Sequence, residues 1–439
     1  MAPVGPVTQA ERINSLDTLR GFALLGILPA NILVFGLHIA ASSDPTVAGG
    51  ATGLNLASWA LFHILVEGKL RCLFSMVFGA GVILLTARAE ARNSASAADI
   101  YYRRNLWLLA FGLAHGFLLF WGDILFSYAL CALVLFPFRK LSARKLLLIG
   151  MLFIVFKAGW MTVEAFRQVQ RRDLAATALA AEKRGTKPTE EQAEAKREIE
   201  AHLKRRKPSA EDLDKDARNW RGNPWQVLST RAKAVVVWQS LPYYHPAMCD
   251  ILSMMFIGMA LFKLGVFGAT RSYRFYAWTA GAGCLTGIPL NLYIAWLAVK
   301  THFDPVNSAF TSIAYDLARL PLALTYTALL MIICKAGVLR WMTRRLAAIG
   351  QTALSNYILH SVICTIVFTG PGFGLYGRLE RYQLYYVVAG CWALSLAASP
   401  LWLRHFQFGP LEWVWRSVTY AKKQPMRYHA VPRAAEATA

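Results

Sequence analysis

Apolar residues run along this chain in stretches of roughly 17 to 25, separated by short segments rich in Lys and Arg. Stretches of that length cross a ~30 Å hydrocarbon core as helices, so the pattern predicts an all-α, polytopic membrane protein. Ten spans are predicted, at about 18–40, 66–87, 103–121, 123–138, 144–164, 247–267, 273–298, 311–333, 346–369 and 384–403. Residues 54–66 are apolar but too few to cross, which suits an interfacial or re-entrant helix. Residues 164–222 break the pattern. Lys, Arg, Glu and Ala crowd them, and Gly185, Pro188 and Pro208 interrupt them, as in a solvated helical hairpin. The chain therefore divides into a membrane half at 1–163, the charged hairpin at 164–222, a second membrane half at 223–420 and a tail at 421–439.

Charge sets the orientation. Arg88, Arg103 and Arg104, then Arg139, Lys140, Arg144 and Lys145, then Lys263, Arg271 and Arg274, and finally Lys335, Arg340, Arg344 and Arg345 fall in alternate loops. The other short loops hold only Lys300, Arg378 and Arg381. This bias predicts that both termini are cytoplasmic and that the hairpin is periplasmic, in a bacterial inner membrane. The net charge of +22 follows from these flanking bases, not from a nucleic-acid surface, and no nucleic-acid partner is expected. The seven cysteines form no C-x-x-C and fall almost entirely in apolar runs, where they read as packing residues; no metal site is expected. The chain has no glycine-rich phosphate loop, H-E-x-x-H or G-x-S-x-G.

Polar residues inside the spans carry the chemical signal, because each costs free energy unless it is paired. Asn31 lies eleven residues beyond Arg20, and His115 eleven beyond Arg104. At ~1.5 Å per residue, both sit roughly 16 Å deep, near mid-membrane. Pro29 frees the carbonyl near Leu25 and is expected to kink the first span. His115 reads either as a histidine satisfied by a neighbouring helix or as a general base. Asp123, in W-G-D-I-L-F-S-Y, reads as an N-cap of the next span. On a continuous helix it would be too far from His115, but a short fourth span that sits deep would fold it inward to orient the imidazole. Asn356 is again near mid-depth, with Gln351, Ser355 and His360 on one broad face. Glu67 and Arg71 are spaced to pair across one helical turn, with Lys69 between them, and Asp316 and Arg319 are spaced as an internal ion pair. Asn14 is a candidate helix cap, with Asp17 in the first turn and Arg20 on its face.

Four segments resemble the YeiB-like family of bacterial membrane proteins, described as a domain of unknown function. They are S-L-D-T-L-R-G-F-A-L-L-G-I from Ser15; E-G-K-L-R-C-L-F-S from Glu67 with F-G-A-G from Phe78; His115 through W-G-D-I-L to Tyr128; and Gly350 to His360 with G-P-L-E-W-V-W-R from Gly409. Through its first span that family is similar to the transmembrane acyltransferase superfamily, which includes heparan-alpha-glucosaminide N-acetyltransferase and moves acetyl from cytosolic acetyl-CoA. The resemblance implies that Asp17, Arg20 and Asn31 occupy functional positions, Asn31 matching an active-site asparagine. It departs at the histidine, where Ser42 stands at the matching spacing and His38 is the nearest imidazole. His115 is assigned as the base on depth.

The expectation is thus an inner-membrane acyltransferase with acyl-CoA as donor. Asp17, Arg20, Arg103, Arg104, Arg344 and Arg345 would hold its nucleotide end, and Glu67, Lys69 and Arg71 a substrate. His115 with Asp123 would move the proton, His360 would stand nearby, and Asn31 or Asn356 would stabilise the oxyanion. Asn31, His115 and Asn356 are expected to converge. The acceptor, a sugar, lipid or envelope component with a hydroxyl or amine, would enter from outside. Residues 411–420 suit an amphipathic helix at the inner interface. A small-solute transporter is the competing reading, a lipid- or partner-binding scaffold a third, and the oligomeric state is left open, a homodimer included.

Overall fold

The computed structural model describes residues 13–92, 97–239 and 241–428; the end of the tail, 429–439, lies outside them. Among the described residues the fold is all-helical. In order come α1 (Asn14–Gly36), α2 (Gly53–Leu65), α3 (Lys69–Arg92), α4 (Ala97–Leu118), α5 (Leu125–Leu135), α6 (Ala143–Lys183), α7 (Glu190–Arg206), α8 (Ala210–Trp220) and α9 (Pro224–Trp238). Then follow α10 (Leu241–Lys263), α11 (Tyr273–Lys300), α12 (Pro305–Ile313), α13 (Tyr315–Ala336), α14 (Arg340–Gln351), α15 (Ala353–Phe368), α16 (Arg381–His405) and α17 (Pro410–Thr419). Six stretches are long and apolar enough to cross a membrane: α1, α2 with α3, α6, α11, α13 and α16; the bent pair α14–α15 makes a seventh. By length and composition the described residues thus carry six or seven of the ten expected spans.

Burial ranks these helices. The apolar window of α1 is 72% buried, against 22% in α6 and α16, so α1 is the axis and the other two present apolar faces outward. α1 begins at Asn14 with Ile13 in the capping position and no side-chain cap; Asn14 is the first helical residue, not the cap. Its interior Pro29 removes the N–H that would bond the Leu25 carbonyl. The Trp392 indole of α16 donates to that carbonyl at 2.9 Å, so the freed acceptor is satisfied from a neighbouring helix.

α1 crosses α14 at two glycines. A Cβ at Gly21 would lie 1.9 Å from the Leu346 carbonyl oxygen, and one at Gly350 1.9 Å from that of Asp17. Only hydrogen fits between the two backbones. Just beyond, the ninth expected span (346–369) does not run straight: α14 and α15 meet at 84° across Thr352. A carboxylate from another segment makes the break tenable. Glu412 of α17 accepts from the backbone N–H of Leu354 (2.6 Å) and Ser355 (3.1 Å) and from the Ser355 hydroxyl (2.6 Å), supplying the cap that α15 lacks in its own sequence. Burial pushes the Glu412 carboxyl above the usual carboxylate range, against the pull of these hydrogen bonds.

α6 continues for 41 residues, past the boundary expected at 163–164 and into the charged segment. The chain turns at Gly185, Thr189 and Gln192 cap α7 reciprocally, and α7 packs back along α6. Two faces of the bundle follow from the contacts. On one, Ser15 bonds the Phe267 carbonyl, Arg139 pairs with Glu90, Lys335 bonds the Arg271 carbonyl and Arg103 reaches the Thr419 carbonyl. On the other, Arg206 bonds Ser43, Lys207 the His302 carbonyl, Tyr376 donates to Asp216 and Asn55 to Glu380. These are called the basic face and the hairpin face.

Gly350→Leu drives a side chain into the Asp17 carbonyl and is expected to cost about 3 kcal/mol or more, beyond ordinary overpacking. Glu412→Ala strips the α15 cap and should cost about 1–2 kcal/mol. Thermal unfolding of purified variants in detergent, compared with an exposed control such as Arg344→Ala, measures both.

Candidate functional site

α4 ends at Leu118, and the next helix, α5, has only eleven residues. The turn between them therefore sits inside the bundle: Phe120 and Asp123 are both 2% exposed. Asp123 folds back so that Oδ1 lies 2.7 Å from His115 Nδ1, while its Oδ2 accepts from the Phe126 N–H at 2.8 Å. The carboxylate thus does both jobs read from the sequence, capping α5 and orienting the imidazole. On the other side of the ring, His115 Nε2 is 2.8 Å from Ser361 Oγ of α15. A carboxylate only accepts, so Nδ1 carries a proton; the Ser361 hydroxyl lies 2.8 Å from Nε2 and 3.3 Å from the Tyr357 carbonyl, and the shorter contact is the one to the ring. Ser361, His115 and Asp123 form a hydroxyl–imidazole–carboxylate chain of the kind that activates a nucleophile. All three are buried. Tyr357, one turn before Ser361, lays its ring 4.9 Å from the imidazole and accepts from the Ile124 N–H.

Tyr357, with Ile124 and Leu125, also lines a cavity of about 230 Å³ on the side of the basic face; His115, Asp123 and Ser361 do not line it. Phe74, Val77, Phe78, Leu108 and Leu125 line its shaft; Arg20, Arg88, Arg104 and Arg416 line its mouth. The Arg104 guanidinium stacks 3.7 Å over the Trp415 ring, and its own carbonyl accepts from that indole. Arg20 pairs with Asp17 at 2.6 Å and reaches the Gly350 carbonyl, tying the mouth to the glycine crossing. A cationic rim over an apolar shaft suits an amphiphile with an anionic head.

Not every expected residue joins this site. Arg103 pairs with Asp99 and does not line the cavity, while Arg344 and Arg345 project outward, exposed, from α14. Asn31 is half-buried, with no hydrogen bond to another described residue, and lines neither cavity. Asn356 turns away, donating to Thr352 and to Ser399 of α16. His360 bonds Ser395 of α16 at 2.8 Å. The convergence expected of Asn31, His115 and Asn356 is therefore not the arrangement observed. Asn356 and His360 stitch α15 to α16, and the imidazole's partner is Ser361, a residue that spacing did not single out.

Glu67, Lys69 and Arg71 belong to a second polar centre, toward the hairpin face. Glu67 and Arg71 do not pair with each other. Glu67 takes His63 at 2.5 Å, and Arg71 takes Asp250 at 3.3 Å, because α3 starts only at Lys69 and Glu67 precedes it outside the helical register. Asp250 also binds Arg319 and Lys157, and Asp316 binds Arg319 and Lys157. The expected Asp316–Arg319 pair is thus one edge of a five-residue network. Lys157 and Asp250 went unread because their partners lie on other helices, with no local spacing to reveal them. A second cavity, about 400 Å³, opens beside this network. The two cavities approach each other across α3: Arg71 lines one and Phe74 the other. Tyr128, which lines the first, bonds Ser75 at 2.6 Å.

Comparison with known proteins places the chain among uncharacterised relatives. Residues 261–422 match the family described as "Protein of unknown function (DUF418)". The chain is 26% identical over 432 residues to the uncharacterized protein YxaH of Bacillus subtilis, covering 97% of this chain and 98% of that one. It is 27% identical over 424 residues to the uncharacterized protein YeiB of Escherichia coli, covering 94% and 98%. An uncharacterized 39.9 kDa protein from Bacillus acidopullulyticus is 28% identical over 427 residues, covering 96% and 97%. No solved structure matches.

Ser361→Ala leaves the His115 Nε2 buried without its donor and is expected to lower stability by about 1–3 kcal/mol. Nitrogen NMR of His-labelled protein should show Nδ1 protonated in the parent chain, and loss of that fixed tautomer in Asp123→Ala.

Proposed function

For this YeiB-like chain, we propose acyl transfer from an acyl-CoA, bound from the cytosol, to a hydroxyl or amine acceptor that arrives from the opposite side of a bacterial inner membrane. The observation that carries the reading is the Ser361–His115–Asp123 chain, packed against Tyr357, a lining residue of a cavity that also holds Arg20, Arg88, Arg104 and Arg416. The basic face is cytosolic by its excess of Lys and Arg. Arg20, Arg88, Arg104 and Arg416 receive the phosphates of the nucleotide, and the apolar shaft takes the pantetheine arm and acyl group. Ten spans, the hairpin in the periplasm and acetyl as the transferred group complete the reading.

The chemistry follows from the hydrogen-bond order. Ser361 Oγ attacks the thioester carbon while its proton passes to His115 Nε2, and Asp123 stabilises the imidazolium. The C–S bond breaks, the thiolate takes the proton from His115, and an ester on Ser361 remains. The acceptor oxygen or nitrogen then attacks that ester, gives its proton to His115, and Ser361 leaves with the proton returned. Tyr357 must swing aside for the thioester to reach Ser361, so it gates the step.

The presence of two cavities from opposite faces, separated at α3, favours one competing reading, a transporter. Gradient-driven uptake by proteoliposomes without acyl-CoA would support it over acyl transfer.

Titration of acetyl-CoA into folded protein should give a binding heat that Arg104→Ala weakens at least tenfold, since Arg104 has no carboxylate partner to mask its loss. Acyl transfer should fall by 10³-fold or more in His115→Ala, with acetyl-CoA affinity little changed. No binding heat in folded protein would overturn the donor assignment.

A further inference from the structure

The second cavity is lined by more basic than acidic side chains, Lys69, Arg71, Lys157 and Arg206 against Glu67 and Asp250. Lys69 is 2% exposed and lines it, yet its only hydrogen bond among the described residues goes to the neutral His63 carbonyl, at 2.6 Å. An ammonium has three donors, and one is used. Its acidic neighbour Glu67 is taken by His63, and among the described residues Lys69 makes no ion pair. Arg206, at the end of hairpin helix α7, lines the same cavity and bonds only the Ser43 hydroxyl. Around the cavity and its network stand Lys69, Arg71, Lys157, Arg206 and Arg319 against Glu67, Asp250, Asp316 and, beside Arg206, Asp44, which also pairs with Lys207. A buried cation without a matching anion is costly, and a ligand that supplies the anion recovers that cost.

The rest of the lining selects what carries the anion. Ser308, Thr311 and Ser312 of α12 face the cavity, and each donates its hydroxyl proton to a carbonyl of its own turn, those of Asp304, Ser308 and Ala309. Their oxygens remain free to accept, so they match a ligand rich in donors. Asn291 is already committed, both amide bonds going to backbone carbonyls.

We infer that the hairpin-face cavity binds a hydroxyl-rich molecule carrying an oxyanion, with Lys69, Arg71 and Arg206 on the anion and the α12 hydroxyls on its alcohols. Resting on the acyl-transfer reading, this names the acceptor class: a sugar phosphate or sugar acid, or the phosphoglycerol headgroup of a lipid. It also gives the hairpin a role, since Arg206 brings α7 over the site. The acceptor hydroxyl would be the attacking group, and the oxyanion the handle.

The test uses full-length protein without any acyl donor. Glucose 6-phosphate, glucuronate and glucose are titrated into detergent-solubilised protein, and native mass spectrometry compares retention of phosphatidylglycerol and phosphatidylcholine from nanodiscs. Binding of either charged sugar at least tenfold tighter than glucose supports a soluble acceptor. Selective retention of phosphatidylglycerol supports a lipid headgroup. Arg206→Ala, half-buried at a helix end, should weaken the preferred probe three- to tenfold, and Lys69→Met should abolish the preference for charge. Equal affinity for charged and neutral probes in both formats, or binding undiminished in folded Arg206→Ala and Lys69→Met, overturns the inference. With no acyl-CoA present, its failure leaves the donor site untouched, and a failed transfer assay leaves this binding standing.

Discussion

The 2.7 Å contact between Asp123 Oδ1 and His115 Nδ1 is the interaction on which the site depends. A carboxylate does not survive in an apolar interior without partners, so the α4–α5 turn can sit deep only if Asp123 has them. It has the imidazole and the Phe126 N–H. Once the turn is deep, the imidazole has one defined tautomer and one free nitrogen, and the nearest helix fills that valence with the Ser361 hydroxyl. The break between α14 and α15 is what brings Ser361 there. It too is held by a buried acid, since Glu412 caps the start of α15 from another segment. Two carboxylates in places hostile to carboxylates therefore fix the geometry of the reactive group.

Much of this was legible in the sequence where the physics is local. Pro29 marks a freed carbonyl at Leu25, and that carbonyl is met by Trp392. Counting rise from Arg104 singles out His115, which is 3% exposed and meets Asp123 and Ser361. The shortness of the α5 run shows how Asp123 turns inward. The Asp316–Arg319 spacing identifies a true ion pair. What escaped was nonlocal. Ser361 is one serine among many until α15 is tilted by 84°, and that tilt is set by Glu412, about sixty residues downstream. Lys157 and Asp250 show nothing suspicious on their own helices. Depth alone also overreached: Asn356 is as deep as His115, yet its amide joins α15 to α16, because depth says nothing about which way a side chain points.

On the proposed reading, the two cavities would take the two reactants from opposite faces. The one on the basic face has arginines among its lining residues and no lysine, while the one on the hairpin face sets Lys69, Arg71, Lys157, Arg206, Glu67 and Asp250 among apolar residues such as Trp59, Ile294 and Phe303. Arg71 of α3 lines the second and Phe74, one turn on, lines the first. The Arg71–Asp250 ion pair holds one side of that turn, and the tilted contact of Phe74 with Tyr128 the other. The glycine crossing of α1 with α14 anchors the mouth of the first cavity through Arg20, and the hairpin contributes Arg206 to the second.

The central claim is that Ser361 is a nucleophile activated by His115, with acyl-CoA as donor. Incubating purified protein with acetyl-CoA in the absence of acceptor, quenching in acid and mapping the acylated peptide by mass spectrometry tests it most directly. The account predicts an acetyl ester on Ser361, absent in His115→Ala and cleared on addition of acceptor. Acetyl transfer that proceeds at full rate in Ser361→Ala, with no label on any residue of α15, would contradict it.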